Sequence, residues 1–401
     1  MTKATEEAGP QALEGIRVID IATVLGAPVA ATLLAEFGAE VIKVEEPKTG
    51  DLLRQFGAQK NGVPLAWLQE ARNKKSVTLD LRHPEGQKLL QRLLKDADVL
   101  VENFRPGTLD KWDLGREALK AINPRLVVLR ISGYGQTGPY AHKGAFDRVA
   151  SAFAGLTGSS GYADRPPVRQ SFALADFLAA SYGAFAVMMA LYHRDVHGGP
   201  GQEIDLALYD PILRSSESML TIYQQLGQIR GRTGNRNPGV VPAGQYATRD
   251  GRFVVAHAGT DALWAKLSRL IGGAALDPAF KSAEGRRQAG DKVEALVEQW
   301  CLGHDAAELI TKLEAAGIPA ARLNDAKDLI QDPHIRARNL VEWDDARLGR
   351  VAMVDVVPKL SATPGRMRWA GPDKGAHNAE IWSRLGLDAA EIARLKDQGI
   401  I

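Results

Sequence analysis

A single cysteine, Cys301, stands in 401 residues, which excludes a disulfide framework and a thiolate metal cluster and fits a reducing compartment. Aromatic residues make up only 6% of the chain, and 50 Lys and Arg nearly balance 48 Asp and Glu, so the basic stripe and aromatic interleaving of nucleic-acid binders are missing. Nucleic acid is therefore not an expected partner. The opening "MTKATEEAGPQALEG" has neither the apolar core of a secretory signal nor the Arg-rich, acid-poor character of a transit peptide. It reads as a frayed arm on a cytoplasmic protein.

Three families of site motif are also missing. The first strand-to-helix turn, "DIATVLGAP", lacks the G-x-G-x-x-G that admits a pyrophosphate, so NAD is not expected. The eight histidines are scattered. Only His193 and His197 stand at i, i+4, beside Gly198 at a helix end and without the Glu of H-E-x-x-H, so they read as helix caps and no metal is expected. No G-x-S-x-G elbow occurs, and "TGSSG" at residues 157–161 reads as a flexible loop.

What is present is alternation. The runs "IRVIDI", "EVIKVE", "SVTLDL", "VLVENF", "LVVLRISGYG" and "EIDLALYD" are near-continuous apolar strands, interleaved with amphipathic helices such as "APVAATLLAEFGA" and "PEGQKLLQRLLKDA". This predicts an α/β fold with a parallel sheet covered on both faces, Rossmann-like in plan. The expected organisation is a large domain over residues 1–226, a small α+β domain over 227–330, and a segment 331–401 returning to the large domain. A helix is expected near residues 211–228. The Gly-, Arg-, Asn- and Pro-rich stretch 227–245 is the candidate hinge.

One stretch raises a chemical question: "ALADFLAASYGAFAVMMALYHR", residues 173–194, is an almost wholly apolar helix with an acid, Asp176, in its first turn. Such an acid can simply cap the helix and complement its dipole. A membrane span is the other bland reading, but Asp176, Ser181, Tyr182 and Gly183, and the lack of a second such run, favour a buried core helix. A carboxylate can also be a covalent nucleophile toward an activated acyl group.

Taken in order, "GIRVIDIATVLGAPVAATLLAEFGAEVIKVEEP", "NKKSVTLDLRHPEG", "ADVLVENFRPGTLDKWDLG", "INPRLVVLRISGYGQTGPY", "LADF" and "GPGQEIDLALYD" resemble the class III CoA-transferases, the family of formyl-CoA transferase and carnitine CoA-transferase. The resemblance spans nearly the whole chain. It implies that Asp176 is the catalytic aspartate, forming an aspartyl-acyl anhydride and then an aspartyl-CoA thioester, with the helix dipole keeping it ionised. It implies CoA contacts from Val24, Leu25 and Gly26 in the first turn, Leu79 and Arg82 after the third strand, and Asn103, Phe104, Arg105 and Lys111 after the fourth. Phe146 and Asp147 would line the pantetheine path. Read alone, Arg82, Arg105 and Lys111 would be ordinary solvated charges. The resemblance further implies an interlocked homodimer and no tightly bound cofactor, coenzyme A and succinyl-CoA being substrates.

"ENFRPGTLDKWDLG", "GYGQTGPY" and "VVPKLSATPG" are most similar to the branch that moves CoA from succinyl-CoA to malate, citramalate or glutarate. A second dicarboxylate needs a cation for its distal carboxylate, for which Arg169, Arg230, Arg232 and Arg236 are candidates. The acceptor among malate, citramalate, itaconate, mesaconate, glutarate or a sulfinate analogue such as 3-sulfinopropionate stays open. Related 2-methylacyl-CoA racemases carry a His where this chain has Phe146, which favours transfer over racemisation. Residues 238–245 carry isolated glycines where formyl-CoA transferase has a glycine-rich loop, which disfavours oxalate. A racemase or epimerase, and a non-catalytic acyl-CoA-binding protein, are the alternative readings.

Overall fold

Six parallel strands form the centre of the first of two units: β1 (Arg17–Asp20), β2 (Glu40–Glu45), β3 (Lys74–Thr78), β4 (Val99–Glu102), β5 (Val127–Ser132) and β6 (Glu203–Ala207). All six expected strands form. Their spatial order is β3-β2-β1-β4-β5-β6, with Ile19 of β1 opposite Ile42 on one side and Leu100 on the other. This order reverses direction between β1 and β4 and defines a doubly wound sheet.

The computed structural model describes residues 9–237 and 239–401. Residues 1–8, which include most of the expected frayed arm, and Pro238 of the 238–245 stretch lie outside the described residues. The first unit takes in the described part of Met1–Leu156 with Gln170–Ser218 and Pro333–Ile401, and the second Thr157–Arg169 with Met219–Asp332.

Strand periodicity explains how the sheet is covered. Val18, Val99, Val101, Leu129 and Ile131 point to one face, into a core shared with the helices Gly26–Glu36 and Leu174–Val196. Ile19, Ile42, Val77 and Leu100 point to the other, against Leu90 and Leu94 of helix Pro84–Leu94 and Ile381 and Trp382 of the C-terminal segment. Truncating Leu90 or Leu100 to Ala would cost about 2–5 kcal/mol.

The 23-residue helix Leu174–Val196 buries Ala175, Ala179, Ala180, Gly183, Val187 and Ala190, a stripe of small residues at helical spacing. The lack of bulk on this stripe lets the helix come close to the sheet. A Cβ on Gly183 would lie 3.0 Å from Leu129 Cδ2 and 3.1 Å from Ile131 Cδ1. The same helix is long and apolar enough to cross a membrane by composition, yet its small-residue stripe packs in the core of this unit. Its other face leaves Phe177, Tyr182, Phe185, Met188, Met189 and Tyr192 exposed.

The helix expected near residues 211–228 is two helices, Asp210–Arg214 and Met219–Leu226. The break follows from Glu217, whose φ of +57° no helix interior accommodates, and from Ser215, whose hydroxyl bonds back to the Pro211 carbonyl at 2.8 Å.

The second unit has its own core. A three-stranded antiparallel sheet of Ala243–Ala247, Phe253–His257 and Ala320–Arg322 packs Tyr246, Val254 and Ala256 against Trp264, Val297, Leu309 and Leu313 of its helices.

Candidate active site

In a doubly wound sheet the loops leaving β1 and β4 part in opposite directions, and the crevice between them is where ligands bind. Here the two loops are tied by one side chain: Thr23 N–H donates to Asn103 Oδ1 at 2.9 Å, and Asn103 Nδ2 donates to the Thr23 carbonyl at 2.7 Å. The next residue, Val24, is held at φ +71°. A left-handed β-branched residue costs about 1–3 kcal/mol and persists only where its surroundings enforce it. Its N–H is held by Asp51 Oδ1 at 3.0 Å. The turn then enters the helix Gly26–Glu36, whose first residue presents its N–H to the carboxylate of Asp176.

Asp176 therefore meets the N-terminal ends of two helices, its own and Gly26–Glu36. Position 26 is tight for any side chain. A Cβ there would lie 3.1 Å from Asp176 Oδ1 and 3.2 Å from Leu208 Cδ2. No lysine or arginine pairs with Asp176 among the described residues. Burial first, and the nearby Asp147 carboxylate second, push its carboxyl up to about 7, against the opposing Gly26 N–H bond.

Two expectations are corrected by this geometry. Its place in a first turn does not hold the Asp176 carboxyl in the ordinary range, because desolvation and a like charge outweigh the Gly26 N–H bond. Asp176 is also not the N-cap of its own helix, a position held by Ala173, which has no capping side chain. That task falls to Asp147, from the helix Asp147–Phe153, which accepts the Ala175 N–H at 2.8 Å.

A cavity of about 310 Å³ opens onto Asp176, lined by Val24, Leu25, Gly26, Asn103, Arg105 and Phe146 among others. A second, of about 300 Å³, follows along the C-terminal edge of the sheet, lined by Leu79, Arg82, Phe104 and Trp112. Thr23 and Phe104 line both. Ten of the eleven positions named for CoA thus lie on the two cavities or, for Asp147, at the capped helix end beside them. Lys111 is the exception, an exposed residue that lines neither. Arg82 is exposed but oriented by Asp80 at 3.0 Å and Glu46 at 3.1 Å.

The sequence reading missed two groups. Lys143 lines the Asp176 cavity with its ammonium 3.7 Å from the Tyr140 ring centroid, as a cation–π pair. Beneath the turn lies a buried ion cluster: Lys43 Nζ is 2.8 Å from Asp51 Oδ2 and 3.6 Å from Asp20 Oδ1, and Lys74 Nζ is 2.8 Å from Asp20 Oδ2. A lysine inside the apolar strand "EVIKVE" was the available signal, since a buried ammonium demands carboxylates.

The four arginines named for a distal carboxylate all belong to the second unit. Arg232 donates to the carbonyls of Tyr162, Ala163 and Arg165 at 2.9–3.1 Å. Arg236 pairs with Asp291 at 2.9 Å and Glu298 at 3.0 Å. Arg169 and Arg230 also have interactions within the structure.

Comparison with known proteins bears on what such a crevice holds. The model of CoA-transferase family III matches residues 13–378. The chain is 42% identical over 397 residues to succinyl-CoA–D-citramalate CoA-transferase of Chloroflexus aurantiacus, covering 98% of each. It is 44% identical over 397 residues to the beta subunit of succinyl-CoA–L-malate CoA-transferase of the same organism, covering 97% of this chain and 98% of the relative. Succinate–glutarate CoA-transferase of Agrobacterium fabrum is 32% identical, over 93% of this chain and 95% of that one. Among solved structures, a CAIB/BAIF family protein from Brucella suis superposes with a TM-score of 0.84 at 32% identity, covering 94% of this chain and all of the other. The chain belongs to CoA-transferase family III.

Proposed function

We propose that this protein transfers CoA from succinyl-CoA to a second small dicarboxylate or close analogue, with Asp176 as covalent nucleophile. The observation that carries the reading is a desolvated carboxylate without a cation, facing the switch-point crevice with a backbone N–H beside it. A partnered carboxylate would be a poor nucleophile, and among the described residues this one has only the Gly26 N–H.

In the first step an Asp176 oxygen attacks the thioester carbonyl, forming a C–O bond and releasing CoA thiolate as the C–S bond breaks. The thiolate then attacks the aspartyl carbonyl of the anhydride, forming the aspartyl-CoA thioester and releasing succinate. The acceptor carboxylate attacks that thioester, and the thiolate finally takes the acceptor's acyl group, restoring Asp176. No net proton is consumed. Each tetrahedral stage carries an oxyanion that donors at the helix ends can stabilise.

The two linked cavities support a CoA molecule laid along the sheet edge, with Arg82, Arg105 and Lys143 as phosphate or carboxylate donors. The activities by which the relatives are named, on citramalate, malate and glutarate, support a dicarboxylate acceptor. For its distal carboxylate we propose one of Arg169, Arg230, Arg232 and Arg236, to be identified by which Ala variant raises KM for the acceptor alone. We propose a homodimer, for which the exposed apolar face of the helix Leu174–Val196 is the supporting feature. A relative composed of alpha and beta subunits makes molecular mass in solution the test of that assembly.

The reading is tested by CoA transfer from succinyl-CoA to a panel of dicarboxylates, by the wild-type protein and by Asp176→Asn. Transfer abolished by the substitution supports it. Solvent deuterium entering the α-position of an acyl-CoA, with no acceptor needed, would replace it with racemisation.

A further inference from the structure

Asp20, Lys43, Asp51 and Lys74 have no part in the chemistry proposed above, yet all four are 2% exposed or less. Buried ion pairs are weak evidence of stability, because desolvating both ions offsets most of their attraction and apolar replacements are often tolerated. Here the charges do something else: they hold backbone. Asp51 Oδ1 accepts the N–H of Val24 at 3.0 Å and of Leu53 at 2.8 Å. Asp20 Oδ1 accepts the Ala22 N–H at 3.1 Å, Lys43 donates to the Ala22 carbonyl, and Lys74 donates to the Pro28 carbonyl at 2.6 Å. Residues 22–28 are thus clamped from beneath at four backbone atoms, two on Ala22 and one each on Val24 and Pro28, the last two flanking Gly26.

We propose that Asp51, seated by Lys43, is a positioning residue for CoA transfer: its carboxylate fixes the left-handed Val24 backbone and thereby aims the Gly26 N–H at Asp176. This rests on the function proposed above. A carboxylate suits the place because donors surround it, the Lys43 ammonium on Oδ2 and two backbone N–H groups on Oδ1. An amide has only one acceptor oxygen and cannot serve both sides. Asp51→Asn must therefore turn its NH₂ either on Lys43 or on the turn. Replacing Lys43 by Met removes that conflict and lets the amide oxygen face Val24 again.

The deciding comparison is between two double variants of equal charge and similar size, Lys43→Met with Asp51→Asn and Lys43→Met with Asp51→Leu. Both lack the ion pair. Only the first keeps an acceptor for the Val24 N–H. Wild type and Asp176→Asn are assayed beside them, so that absence of transfer in the wild type, or transfer that survives Asp176→Asn, marks failure of the functional reading and not of this one. With thermal unfolding recorded to confirm folded protein, the Leu variant should show kcat at least tenfold below the Asn variant, with KM for succinyl-CoA within about threefold. Equal kcat in the two would overturn the proposal. Should the Leu variant not fold, Asp51→Asn alone is compared with the Asn double variant. A gain in kcat of fivefold or more on adding Lys43→Met is then expected, and no gain overturns the proposal.

Discussion

Two carboxylates grip the same turn two residues apart, and their environments drive them in opposite directions. Asp51 bonds the Val24 N–H and Asp176 bonds the Gly26 N–H. Burial alone would raise Asp51, but Lys43 and the backbone donors outweigh it and hold its carboxyl below the ordinary range, while Asp20 and Asp51 overcome burial to hold the Lys43 ammonium above its own. Asp176 has burial and Asp147 against it and a single N–H in its favour, so it rises to about 7. Charge that is compensated serves as scaffold, and charge left uncompensated stays available for chemistry.

The largest effect should come from removing the reactive member of this pair. Asp176→Asn keeps the shape and loses the nucleophile, so kcat for CoA transfer should fall by ~10³-fold or more. Residual activity within tenfold of wild type would move catalysis elsewhere. Next is the contact between turn and nucleophile. Gly26→Ala places a methyl group 3.1 Å from Asp176 Oδ1, and a shift of a few tenths of an ångström should lower kcat by about 10–100-fold. An unchanged kcat would mean that the carboxylate tolerates displacement.

A third test titrates the comparison. Only the ionised carboxylate attacks, so kcat/KM for succinyl-CoA should fall about tenfold per pH unit below an apparent pKa near 7. Asp147→Asn retains an oxygen for the Ala175 N–H and removes the like charge, so this acid limb should move to lower pH. A limb that stays in place would show that burial alone sets it.

The smallest effect is on stability, with the sign set by linkage. A folded carboxyl raised from 3.8 to about 7 binds its proton more tightly than the unfolded one, so the wild type loses stability as pH climbs between these values. Asp176→Asn has no such loss. Its stability relative to wild type should increase from pH 4 to pH 8 by roughly 1–3 kcal/mol, after discounting for solvent at the cavity mouth. Denaturant melts across that range would contradict this by giving a constant difference.

Local pattern made much of this legible. Near-continuous apolar runs located all six strands, and the apolar length of 173–194 located the helix that carries Asp176. Local pattern failed where partners are distant in sequence. The cap of that helix comes from Asp147, 28 positions before the Ala175 N–H it accepts. "TGSSG" looked like an isolated flexible loop, but Gly161 O accepts the Gly234 N–H at 2.9 Å and Arg232 binds the carbonyls just beyond, so the segment is tied into the second unit. Lys43 and Lys74 carry no functional meaning in the local pattern. Their meaning depended on Asp20 and Asp51, which only the folded sheet brings beside them.

The most direct test of the central claim is to mix the purified protein with succinyl-CoA alone, trap with borohydride or hydroxylamine, and map peptides by mass spectrometry. The account predicts a modified Asp176, reduced to the alcohol or converted to the hydroxamate, and no such modification at Asp51 or Asp147. An unmodified Asp176 in protein that demonstrably binds succinyl-CoA would contradict covalent transfer through this residue.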